Sequence, residues 1–166
     1  MTFLIDGYNL MYAAGLASKA MPAPLFERAR TRFLDWLADG AKDRPAVLRV
    51  VFDAMQAPGP SLETVHRGVR VRFAFRQTAD DVIEELVAVE QKPAAVTVVS
   101  NDARVREAGR RADCHLATCE EFSDWLSNPP AAPDAPRSPE DKPMSAVTDD
   151  DMTAWLNAFN TPKPKR

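Results

Sequence analysis

An excess of positive charge is missing from this chain: 21 Lys and Arg stand against 24 Asp and Glu, for a formal net charge of −3. No global field announces a polyanionic partner, so any case for nucleic acid must rest on local residues. Cysteine is scarce. Cys114 and Cys119 are the only two, which excludes a disulfide framework and suits a reducing compartment. Histidine is equally scarce, and Cys114-His115 with Cys119 offers too few ligands for a zinc site, so both cysteines read as inert packing. No apolar run approaches the roughly 20 residues of a membrane span. The opening Met1-Thr2-Phe3-Leu4-Ile5-Asp6 has no basic stretch and no cleavage site, so no signal peptide is expected. A cytoplasmic location without a membrane partner is the expectation.

What is present begins with apolar content: 45% of 166 residues, enough for one core and an appendage. Composition breaks near Asn128, and eight of the 14 prolines lie between Pro129 and Pro164. Residues 1–127 are expected to form the domain and 128–147 a proline-rich linker that cannot build a core. In residues 148–160, Thr148 followed by Asp149, Asp150 and Asp151 suits a helix start. Met152, Trp155, Leu156 and Phe159 then recur on one face. A helix of about a dozen residues is marginal alone. This stripe is expected to cover a surface, with a protein partner favoured over the chain's own domain. Residues 161–166 read as a disordered tail.

Within 1–127, strands alternate with helices. Strands are expected at Thr2–Asp6, Ala46–Asp53, Val69–Arg76, Ala95–Val99 and Cys114–Ala117. Helices are expected at Leu25–Leu37, Thr78–Gln91, Asn101–Ala112 and Cys119–Leu126. Pro58-Gly59-Pro60 starts a loop. This alternation argues for an α/β, Rossmann-like three-layer domain with a mostly parallel central sheet.

In such a sheet the C-terminal strand ends share one rim, and ligand chemistry collects there. Asp6, Asp53 and Asp102 end or directly follow strands, and Asp80 and Asp81 open a helix. Clustered carboxylates repel one another unless a cation occupies the cluster. Oxygen donors without a nearby histidine point to Mg²⁺ or Mn²⁺. The chemistry suited to that set is metal-assisted phosphodiester hydrolysis. Gly7 gives the backbone room to turn sharply after Asp6, which brings Asn9 within reach of a water or a phosphate.

Each acid also has a plainer reading. Ser100-Asn101-Asp102 could cap the following helix. Asp81, three residues after Thr78, fits a capping box, which leaves Asp80 for the site. Glu84 lies one turn beyond Asp80 on the same face, as an exposed helix glutamate also would. Asp53 could be a turn residue. Arg70, Arg72 and Arg76 form one basic strand face that could contact RNA, or simply be solvated. Arg104, Arg106, Arg110 and Arg111 read as solvated, partly paired with Glu107. Tyr8 and Tyr12 read as packing residues more than as base-stacking ones.

Taken together, Leu4-Ile5-Asp6-Gly7-Tyr8-Asn9-Leu10, Val51-Phe52-Asp53-Ala54, Thr78-Ala79-Asp80-Asp81 with Ile83-Glu84, and Val98-Val99-Ser100-Asn101-Asp102 resemble the YacP-like NYN-domain family of PIN-like nucleases. The resemblance spans residues 2–127. It implies a Mg²⁺- or Mn²⁺-dependent endoribonuclease with Asp6, Asn9, Asp53, Asp80 and Asp102 as site positions. Metal would fall to Asp6, Asp80 and Asp102, with Asp81 and Glu84 secondary and Ser100 and Asn101 joining the arginines as RNA contacts. It also implies RNA as partner, with action on mRNA at the ribosome among the family's modes. The proline-rich tail is not part of that pattern, and Met55–Gly68 is poor in lysine.

Two other readings compete. A non-catalytic RNA- or ribosome-binding module would gain nothing from clustered carboxylates. A phosphorelay receiver domain would want an acidic pair after the first strand and a lysine after the fifth. Here there is one Asp6, and Leu116-Ala117-Thr118 contains no lysine. A phosphatase with an Asp-x-Asp nucleophile fails because position 8 is Tyr.

Overall fold

A computed structural model of the chain describes residues 1–53 and 63–128. Residues 1–130 belong to one compact unit. The Pro58-Gly59-Pro60 loop, the linker beyond residue 128, the 148–160 helix and the 161–166 tail lie outside the described residues.

The elements in chain order are β1 (Thr2–Asp6), α1 (Gly7–Ala13), α2 (Ala23–Ala41), β2 (Val47–Asp53), β3 (Thr64–His66), β4 (Val69–Ala74), α3 (Ala79–Ala88), β5 (Val96–Val99), α4 (Ala103–Arg111), β6 (His115–Ala117) and α5 (Cys119–Ser127). The described strands form one sheet in the order β3-β4-β2-β1-β5-β6. Its pairs are parallel except β3 with β4. Counted in chain order, the parallel strands run third, second, first, fourth, fifth, the doubly wound Rossmann order. A receiver domain places its second strand outside the first and its third beside the first. The topology therefore removes the receiver reading.

The strand order reverses between β1 and β5, so the crevice for chemistry lies above that pair. Strand residues alternate between two cores. Phe3, Ile5, Val50, Phe52 and Val71 meet α1, α2 and α5 through Leu10, Phe33, Leu37 and Phe122. Leu4, Val51, Ala74, Val96 and Val98 meet α3 and α4 through Val82, Ile83, Val105 and Ala108. These are the three expected layers.

Three local expectations need correction. Gly7 does not serve an open turn: it is the buried first residue of α1, with Asp6 as the N-cap. A Cβ there would sit 2.3 Å from the Phe52 ring, so glycine is required by close packing. The hairpin strand β3 is an addition to the expected elements, three residues on the sheet edge. β4 ends at Ala74 instead of running on to Arg76. Arg76 takes a left-handed backbone, φ 59°, which cannot continue a strand.

Candidate active site

Asp6 stands at the switch point. Its Oδ1 accepts the Asn9 backbone N–H at 3.2 Å and its Oδ2 accepts the Ser100 hydroxyl at 3.3 Å. Ser100 Oγ in turn accepts the Asp102 N–H at 3.0 Å. A chain of hydrogen bonds thus links the end of β1 to the start of α4 across the crevice. Only 6% of Asp6 is exposed. Burial, with the charges of Asp80 and Asp53 adding to it, pushes its carboxyl from the ordinary 3.8 up to about 6, against the hydrogen bonds from Asn9 and Ser100.

Asp80, in the first turn of α3, is also raised. Burial is the largest cause, followed by the charge of Asp102; Asp53 and Asp81 add to it and Arg104 opposes it. Asp80 accepts no hydrogen bond among the described residues. Asp53, at the end of β2, accepts the Ala79 N–H at 2.7 Å, so it fixes the start of the helix that carries Asp80. Asp102 caps α4: its Oδ1 accepts Arg104 N–H at 2.8 Å and Val105 N–H at 3.3 Å. Asp6, Asp53, Asp80 and Asp102 therefore share one rim, each held by a different segment and each within electrostatic reach of another.

Asp81 and Glu84 belong to a separate arrangement. Thr78 and Asp81 form a reciprocal capping box at 3.0 and 3.1 Å. Arg104 Nη2 donates to Asp81 Oδ1 at 2.6 Å, and its Nε lies 2.7 Å from Glu84 Oε1. The second contact is an ion pair by distance whose N–H direction misses the oxygen, since Glu84 Oε1 accepts no hydrogen bond. The backbone hydrogen bond from Thr78 and then the Arg104 guanidinium bring Asp81 down to about 2. Arg104 is thus not the solvated helix residue its spacing suggests. A cross-helix partner cannot be read from spacing along one helix.

Several expected contact residues sit elsewhere. Ser100 is fully buried, with its hydroxyl on Asp6. Asn9 Oδ1 accepts the Asn101 N–H at 2.9 Å and the Cys119 thiol at 3.2 Å. That carbonyl knits the rim together. Asn101 Oδ1 accepts Cys119 N–H and its Nδ2 donates to Glu120, both at 2.9 Å. Burial pushes the Cys119 thiol up to about 12, so it stays a donor. Cys119 is therefore a tie within the rim as well as packing, and nothing in its sequence context signals this.

The basic strand face splits up. Arg70 pairs in register with Arg49 and lies 3.6 Å from Glu63. It is four residues, or about 13 Å, below the rim end of β4. Arg72 is half-buried opposite Val51. Arg76 alone of the three is beyond the strand end, its guanidinium over the Phe75 ring at 5.2 Å. Tyr8 packs on Phe26 and Phe52, and its hydroxyl accepts from Arg30 at 3.3 Å.

The donor chemistry fits a hard divalent cation. Several carboxylates share the rim without a histidine, and two of them are raised partly by each other's neighbours, a cost that a cation removes. As the side chains stand, no three acidic, histidine or cysteine residues among those described converge tightly enough to hold an ion. Among the described residues, Asp53 and Asp102 each accept through Oδ1 alone.

Fold and site together define a Rossmann-like α/β domain with an acidic rim at its switch point. The chain belongs to the YacP-like NYN domain family, whose model matches residues 3–152. It is similar to two crystal structures of Rae1 (YacP) from Bacillus subtilis. The first, of a mutant with tryptophan replaced by leucine, is 28% identical with TM-score 0.61, over 75% of this chain and 74% of that one. The other is 25% identical with TM-score 0.58, over 76% and 73%. A comparison with curated proteins found no match. NYN domains belong to the nuclease superfamily and generally use divalent metals, so a nuclease-type, RNA-related function follows. Among the described residues no helix is long and apolar enough to cross a membrane.

Proposed function

We propose that the chain is a Mg²⁺- or Mn²⁺-dependent endoribonuclease that hydrolyses RNA phosphodiester bonds. The observation that carries this reading is the convergence of Asp6, Asp53, Asp80 and Asp102, from four separate segments, on one rim at the switch point. Folding such a cluster is costly unless it serves a cation. Asp6, Asp80 and Asp102 would hold the metal. When bound, it supplies an activated water and offsets charge on the phosphate oxygens.

The chain's own residues prepare that site. Asn9 and Ser100 orient Asp6 through its two oxygens. Asp53 anchors the α3 start and so sets the place of Asp80. With a carboxyl near 6, metal-free Asp6 exchanges a proton close to neutral pH.

The direct test is purified full-length chain with RNA, with and without Mn²⁺ and with and without ribosomes. Metal-dependent internal cleavage is expected; cleavage seen only with ribosomes would place the activity there. RNA binding without cleavage under every condition would favour the non-catalytic RNA-binding module instead. We further propose, from its apolar stripe alone, that residues 148–160 serve a protein partner. Full-length chain that does not recruit protein through this segment in pull-downs against a Met152, Trp155, Leu156 and Phe159 alanine variant would end that idea.

A further inference from the structure

We propose that Arg104 is a preorganised clamp for the RNA phosphate beside the acidic rim, and that Asp81 and Glu84 are its positioning residues rather than metal ligands. The inference rests on the ribonuclease reading and assigns a substrate contact to that same site.

Arg104 is the second residue of α4, two after its cap Asp102, and its side chain is 52% exposed. One side of its guanidinium is fixed: Nη2 on Asp81 at 2.6 Å, Nε beside Glu84 at 2.7 Å. Asp81 is held in turn by the capping box with Thr78. Nη1 has no hydrogen-bond partner among the described residues. Arginine presents its donors in a rigid planar fork, so anchoring one edge orients the other at little entropic cost. Its partner Asp81 is the chain neighbour of Asp80, and Arg104 itself follows Asp102 by two residues, so it bridges the two helix starts that carry those acids. An arginine so placed can meet a phosphate beside Asp80 and Asp102, the residues that with Asp6 would hold a metal. This divides the acids by contact. Asp81 and Glu84 both pair with Arg104, at 2.6 and 2.7 Å, whereas Asp6 and Asp80 form no ion pair among the described residues.

The test compares Arg104→Ala, Arg104→Lys and the control Arg110→Ala, whose arginine pairs with Glu107 at the far end of α4. Affinity for a single-stranded RNA is measured against salt, with Ca²⁺ in place of Mn²⁺, alongside Mn²⁺ titration without RNA. Arg104→Ala is expected to weaken RNA binding about tenfold and to reduce the log–log salt slope by about 0.7. Arg104→Lys keeps the slope but not the fork, and recovers only part of the affinity. Mn²⁺ binding without RNA holds or tightens in Arg104→Ala, because a repelling cation is gone, which a merely misfolded variant would not show. Cleavage-competent wild type whose affinity and salt slope are unchanged by Arg104→Ala overturns the clamp alone. An arginine-dependent slope in a chain that never cleaves RNA overturns the nuclease reading and leaves the clamp standing.

Discussion

Two helices of this protein begin with nearly the same words. α3 opens Thr78-Ala79-Asp80-Asp81 and α5 opens Thr118-Cys119-Glu120-Glu121, and both close a reciprocal capping box. The acid in the third place meets different fates. Asp80 is partly buried among rim carboxylates and its carboxyl is raised. Glu120 is exposed, accepts Asn101 Nδ2, and its carboxyl is lowered, chiefly by a backbone hydrogen bond. Local sequence specifies the cap in both cases; the strand order specifies which cap stands over the crevice. A functional carboxylate here is a helix-start residue that topology has moved next to other carboxylates.

The widest separation between the two helices should appear on exchanging those acids. Asp80→Asn is expected to lower RNA cleavage by on the order of a hundredfold or more. Glu120→Gln should stay within about twofold, as surface changes do. Matched losses in a single-turnover assay would erase the distinction.

Asp6→Asn extends the contrast to stability. Cleavage should again fall by on the order of a hundredfold, yet the metal-free protein should gain up to about 3 kcal/mol, from the shift between 3.8 and about 6. The pH dependence has a definite sign. Asp6 binds its proton more readily folded than unfolded, so the folded state holds more protons between those two values. Its contribution therefore makes the metal-free chain less stable as pH rises from about 4 through about 6. Urea melts across that range should show a steeper fall in wild type than in Asp6→Asn. A wild-type and variant pair with parallel pH profiles would mean Asp6 is not raised.

Smallest is the effect of the caps themselves. Thr78→Ala and Thr118→Ala should each cost about 1 kcal/mol. Thr78→Ala should also slow cleavage several-fold by loosening the segment that bears Asp80, while Thr118→Ala leaves turnover alone. Equal turnover in the two variants would show that the α3 cap has no part in placing the site.

The same contrast explains what is legible in the sequence. Strand and helix positions come through because apolar periodicity is set by the two cores: Leu4 and Val51 face one, Ile5 and Phe52 the other. The Thr78–Asp81 box is readable because it is local. α1 escapes because Gly7 signals a turn, whereas its real constraint is the Phe52 ring, which is distant in sequence. β3 escapes because its pairing to β4 is its main tie. The acids can be assigned to one rim from strand ends and one helix start. Their division cannot, since Arg104 reaches Asp81 and Glu84 across two helices. Ser100 neighbours Asp102 and so reads as a substrate contact; in the fold its hydroxyl lies beneath Asp6.

If the rim carboxylates form a cation site, Mn²⁺ must bind there in competition with the Asp6 proton, and calorimetric titration of Mn²⁺ into the metal-free chain at about pH 7 and about pH 5 shows whether it does. Binding is expected at the higher pH, weakened markedly at the lower as the Asp6 proton competes, and lost in Asp80→Asn. No heat at millimolar Mn²⁺ at the higher pH, or binding indifferent to Asp80, would contradict it.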